Sequence, residues 1–419
     1  MVDRTVAPKF VEPKKFKLPN PDTIHFENGS RFFFLKAGNQ PVVRLEFIFR
    51  AGAWFETAPG VAYFTGKMLT EGTTSFTSKD IAERLDQYGA YVEVHPGFDY
   101  TNLSIHIATF HLEKIIPILD EILFSPSFQD HEFELMKQIQ IQQLSINEQK
   151  NDFVASRLFR SKLYGNFPYG NVMKEEIIKN TSINELKDHY ERWINGRFDL
   201  VMTGDFDLNI QDSIIRFLEN KLHKIHDFDP KECIGQDHFS EYIEKEASLQ
   251  SSIFIGKRSL NRKDERFGQL LLLNEVFGGY FGSRLMQNIR EDKGFTYGIH
   301  SHFVTLKNDA YFVINSDVKK ENKDQTVSEI NREIDRLKNE LIKQEELSEV
   351  KNYLKGSILN TLTTPFALTD KLKNIFFYDL DSDYYEKLFD DIDAATSQDL
   401  LNLANSTLFD KSLSSIIVG

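Results

Sequence analysis

Few side chains in this sequence are spaced to do chemistry together. His300 and His302 alternate within an expected strand and would face one way, and His223 and His226 share an expected helix or its end. Either pair could supply two metal ligands, but with no third in view the ordinary reading is surface or structural histidines. Arg290 and Tyr297 stand seven residues apart, a guanidinium and a phenol that can both donate to an oxygen, but Arg84 and Tyr91 repeat that spacing. The stretch GVAYFTGKMLTEGT, residues 60–73, reads as the front of a metal-binding helix with the metal chemistry taken out. No nucleophile elbow, Walker loop or dinucleotide glycine pattern stands in a supporting context. The single cysteine, Cys233, excludes an intrachain disulfide framework and a Cys-based zinc site, and reads as a buried or incidental thiol.

The elements that would position these residues repeat. Strand-like runs RFFFLKAG and VVRLEFIFRAGA lead into an apolar helix from about Gly60, followed by a helix SKDIAERLDQYG, two strands, the helix LEKIIPILDEILF and a long helix across 131–150. SINELKDHYERWI opens with a capping box, Ser182 and Glu185, and FDLVMTGDFD closes the half as an apolar strand. The second half runs in the same order, from the strand SSIFIGKRSL and the helix FGQLLLLNEVFGG to TSQDLLNLANSTL and the final strand SLSSIIVG. The period of about half the chain implies two copies of one α/β unit. The boundaries read as a domain over 1–225 after an extended Pro- and Lys-rich arm, a polar linker over 226–248 and a second domain over 249–419.

With 419 residues and 41% hydrophobic content, the chain can bury more than one core. A formal net charge of -13 without a local basic patch opposes binding to nucleic acid or to an anionic membrane surface. No apolar run has the length of a signal peptide or membrane span, so the expectation is a cytoplasmic protein, or a periplasmic one if a signal peptide has been removed. Runs such as RFFFL and NIFFYDL are expected in cores, and the charged helix NREIDRLKNELIKQEELSEVKNYLK to present a solvated face.

Two segments resemble the insulinase/pitrilysin zinc metallopeptidase family, and in particular its mitochondrial processing peptidase-like branch. Gly60, Ala62, Phe64, Met68, Gly72 and Thr73 fit the family's G-x-A-H-F-x-E-H-M-x-x-x-G-T, and GGYFGSRLMQNIREDKGFTYGIHS fits its G-G-x-x-S-R-L-x-x-x-x-R-E-x-x-G-L-x-Y. In H-x-x-E-H the histidines at i and i+4 share a helix face and grip one zinc, and the glutamate before the second histidine activates the metal-bound water. This chain places Tyr63 and Lys67 at the histidine positions, Gly66 at the base position and Gln143, 76 residues after Lys67, where the family implies a third ligand. A phenol holds its proton at neutral pH, an ammonium repels a dication, and glycine has no side chain to activate water. Glu148, five residues beyond Gln143, is the nearby carboxylate.

The arginine and tyrosine of the second motif are intact. The resemblance implies that Arg290 and Tyr297 hold the substrate backbone and stabilise the charge that develops on the scissile carbonyl, as preorganised donors do. An arginine on a helix and a tyrosine on the next strand are also ordinary structural residues. Gly278 and Gly279 read as a turn before the Arg-bearing helix, with a role in gripping extended peptide as the functional alternative. The resemblance implies an α+β fold of two tandem homologous units, each a mixed or antiparallel sheet with helices on one side, facing across a cavity. The function it implies is that of a non-catalytic subunit, binding no metal itself, beside a zinc-bearing homologue in a heterodimer that cleaves peptides. The alternative is a structural or peptide-binding homologue, as a homodimer or in a larger complex, like core scaffolds of respiratory complexes.

Overall fold

The computed structural model describes residues 17–223, 238–411 and 413–419. Cys233, His226, residues 226–237 of the expected linker and the arm before residue 17 lie outside them. The described strands are β1 (Asp22–His25), β2 (Arg31–Lys36), β3 (Val42–Phe49), β4 (Tyr91–Pro96), β5 (Thr101–Ala108), β6 (Phe198–Gly204), β7 (Ser240–Ile243), β8 (Gln250–Arg258), β9 (Thr296–Thr305), β10 (Ala310–Lys319) and β11 (Ser414–Val418). They fall into two sheets among many helices, the α+β architecture expected from the sequence. The chain divides into an N-terminal unit of Pro19–Lys257, Leu306–Asn308 and Ser414–Gly419, and a C-terminal unit made chiefly of Arg258–Thr305 and Asp309–Leu413.

In the N-terminal unit a six-stranded sheet runs β1-β2-β6-β3-β5-β4. It is mixed: β2 and β6 are parallel, and the other described pairings are antiparallel. Alternate residues of the strands turn one face toward the helices, a two-residue period that puts Phe32 and Phe34, Val43, Leu45, Phe47 and Phe49, Leu103, Ile105 and Ile107, and Phe198, Leu200 and Met202 in one core with Ile115, Leu119 and Ile122. The expected capping box forms at Ser182, whose hydroxyl accepts from the Glu185 N–H while the Glu185 carboxylate accepts from the Ser182 N–H. The same unit holds a smaller set of strands, in which β11 pairs parallel with β7 and antiparallel with β8. Residues 240–243 of the segment read as linker are thus β7.

In the C-terminal unit β9 and β10 form an antiparallel hairpin, with His302 opposite Val313 and His300 opposite Asn315. The helix Phe267–Asn274 winds on into a π-turn, Glu275–Gly279, and Met286–Asp292 is also π-helical. Both were expected as continuous α-helices; each instead takes up an extra residue per turn, which shifts where the following side chains point. The helices Lys323–Asn339 and Gln344–Asn360 follow, and the helix Ser397–Leu403 carries its own capping box, Thr396 and Asp399.

A degenerate metal position and an exposed arginine-tyrosine pair

The helix Val61–Met68 begins after Gly60, whose φ of 105° favours glycine, and the Glu56 carboxylate accepts hydrogen bonds there from the Gly60 and Ala62 N–H groups at 3.0 and 3.2 Å. Phe64 and Met68 are buried in the core, so Tyr63 and Lys67, one turn apart, are left half-buried on another side. Burial raises the Tyr63 phenol further above its ordinary value, away from the phenolate a metal would need. The Lys67 ammonium donates to the Val94 carbonyl at 2.6 Å. At Gly66 a Cβ would stand 3.0 Å from Pro96 Cγ and 3.1 Å from Thr101 Cγ2, so β4 and β5 pack tightly against the helix there.

Tyr63, Lys67, Glu71, Glu93, His95 and Met136 line a cleft of about 330 Å³. The Glu71 carboxyl is pushed up by burial and by Glu132, with Lys67 opposing. Gln143 lies exposed on the helix Asp130–Glu148, and the lining residue from that helix is Met136. These residues do not fit zinc: the second ligand position holds a lysine ammonium bonded to backbone, the first holds a phenol, and the base position has no side chain. Among the described residues no group of three or more His, Cys, Asp or Glu side chains could hold a metal ion. His300 and His302 share the outward face of β9, where desolvation and then His300 lower the His302 imidazole. His223 sits against Gly196, and its carbonyl accepts from Asn28 at 2.8 Å.

Arg290 and Tyr297 are brought together. The Arg290 guanidinium carbon stands 5.2 Å from the centre of the Tyr297 ring, and 4.6 Å from that of Phe281. Tyr297 is 89% exposed and Phe281 61%. The segment that carries them is anchored from behind. Ile289 is buried, the Asn288 amide donates to Glu333 at 2.7 Å and Glu329 at 2.9 Å, and Arg284 makes a two-pronged bond to Glu346 at 2.8 and 2.9 Å. Gly294, at φ 64°, turns the chain from Arg290 toward β9. Arg84 and Tyr91 make no such pair: Arg84 lies 4.3 Å over Phe76, and the Tyr91 hydroxyl donates to Glu93 at 2.5 Å.

Gly278 and Gly279 are accounted for by close approach. A Cβ on Gly278 would come 2.5 Å from Ser301 Oγ, and one on Gly279 2.7 Å from the Glu275 carboxyl. Burial pushes the Glu275 carboxyl up to about 7, and one of its oxygens has no partner among the described residues. Sequence reasoning did not single out Phe281 or Glu275. Phe281 occupies a variable place in the motif, which gives no signal for it.

Residues 33–175 match the family model described as insulinase (peptidase family M16), and residues 180–354 that of the peptidase M16 inactive domain. The chain is 25% identical over 355 residues to the uncharacterized zinc protease YmxG of Bacillus subtilis, covering 80% of this chain and 83% of that protein. It is 22% identical over 346 residues to the non-peptidase homolog YmxG of Helicobacter pylori, covering 80% and 78%. In fold it is similar to the crystal structure of a peptidase M16 inactive domain from Pseudomonas fluorescens, with a TM-score of 0.88 at 24% identity, over 96% of this chain and 98% of that one. The two models together cover most of the chain, which belongs to the insulinase family, peptidase family M16, with its ligand positions replaced.

Proposed function

We propose that the chain is the non-catalytic subunit of a heterodimeric zinc peptidase. A homologue with an intact H-x-x-E-H brings zinc and the general base; this chain supplies Arg290, Tyr297 and part of the wall of the peptide chamber. The observation that carries the reading is the contrast between the two sites. The metal position holds Lys67 and has no side chain at Gly66, whereas the pair that needs no metal stays together, with Tyr297 exposed. A guanidinium and a phenol held in place ahead of the reaction are the donors an oxyanion needs, and each contributes a few kcal/mol in such sites.

The test is peptide cleavage by an H-x-x-E-H homologue from the same organism, alone, with this chain, and with its Arg290→Ala/Tyr297→Phe form. Activity should require the unaltered chain and fall at least tenfold with the double variant, or about 1.4 kcal/mol of transition-state stabilisation. Cleavage indifferent to this chain removes the shared site and leaves a structural or peptide-binding homologue.

A further inference from the structure

Arg290 has a second aromatic neighbour, Phe281, and it stands closer than Tyr297 does. A large apolar ring left 61% exposed while it stacks a guanidinium is an arrangement with a use. The guanidinium carbon lies within cation–π distance of both ring centres, and such contacts leave the N–H donors free for other partners. The only ion pair Arg290 makes among the described residues is through Nε to Glu291 at 3.4 Å, a loose contact with a carboxylate that is itself half exposed. The two Nη groups make no ion pair among the described residues, and they have the spacing a carboxylate accepts.

We infer that Phe281, Arg290 and Tyr297 form a receptor for the free C-terminal carboxylate of a peptide whose last side chain is apolar. This rests on the proposed peptide contact at the Arg290 pair and goes beyond it. The carboxylate lies in the plane of the guanidinium, and the side chain that branches from the same carbon rests on the exposed ring of Phe281. Tyr297 can donate its hydroxyl to the same carboxylate. An acidic side chain within a peptide offers the carboxylate without the adjoining apolar group, and acidic peptides meet a chain of net charge -13. A neutral or basic peptide with one terminal carboxylate suits both the fork and the field.

The experiment is fluorescence anisotropy of the full chain with an N-terminally labelled, otherwise neutral six-residue peptide ending in leucine, compared with its C-terminal amide. The acid should bind at least tenfold more tightly than the amide. Arg290→Lys, which keeps the charge but loses the fork, should remove most of that difference. Phe281→Ala should weaken a leucine-ended peptide more than a glycine-ended one. Phe281 is exposed and the Arg290 side chain 27% exposed, and unchanged thermal melting confirms that the variants fold. Equal binding of acid and amide, or no binding of either, overturns the inference. If acid and amide bind alike and Arg290→Ala weakens both, the carboxylate receptor is wrong while the peptide contact of the proposed function stands. If they bind and Arg290 affects neither, both readings fail.

Discussion

At the scale of single residues, the lost metal site is a repacked position as well as a set of missing ligands. Reinstating the family's side chains by Tyr63→His, Gly66→Glu, Lys67→His and Gln143→Glu should leave metal content well below one zinc per chain by elemental analysis. The added carbons at position 66 must displace Pro96 and Thr101, and Gln143 does not line the cleft. Gly66→Glu alone should lower unfolding stability by ~1–3 kcal/mol, the usual cost of overpacking. Stoichiometric zinc in the fourfold variant would show that this packing yields easily. The absence of ligands was legible in the sequence, because residue identity decides it. The tight packing was not, since it depends on how near β4 and β5 approach the helix, and neither Pro96 nor Thr101 belongs to the motif. The same holds for Phe281: the arginine and tyrosine are set by a motif, but the ring nearest the guanidinium occupies a place the motif leaves open.

At the scale of elements, local rules read best where the side chain and the backbone group it satisfies are near neighbours. The box at Ser182 was visible three residues ahead of its partner and formed as expected, so Ser182→Ala should cost about 1 kcal/mol in a denaturant titration. The second-half counterpart TSQD uses Thr396 rather than Ser397 as its cap. The repeat between the halves therefore preserves the device while moving it by one residue. The π-turns were not legible, because an extra residue in a turn leaves the apolar spacing nearly unchanged. They matter here because one bears Arg290 and the other ends in Gly278 and Gly279.

At the scale of the molecule, one buried group in each unit responds to pH in the opposite sense to the other. In the N-terminal unit His189 is buried, its Nε2–H donates to the Ala51 carbonyl at 3.0 Å, and desolvation lowers its imidazole to about 4. Its contribution is present above the unfolded value of about 6.5 and is lost as pH falls toward 4, because the unfolded chain then takes up a proton that the folded one resists. In the C-terminal unit the Glu275 carboxyl is raised from 4.5 to about 7, so its contribution is present below 4.5 and is lost as pH rises through 7. Going from pH 7.5 to 5 should weaken protection of the helix Ile183–Trp193 and strengthen that of Phe267–Asn274 in rate-corrected hydrogen exchange. Glu275→Gln should flatten only the second response, and a shift of both helices in the same direction would count against the assignment. The placement of β11 between β7 and β8 acts at this scale as well. A ribosome makes β7 and β8, then more than 150 intervening residues, and only afterwards the strand that joins them. This part of the N-terminal unit is therefore finished last, and a nascent chain stalled before residue 414 carries β8 with one edge waiting for its partner.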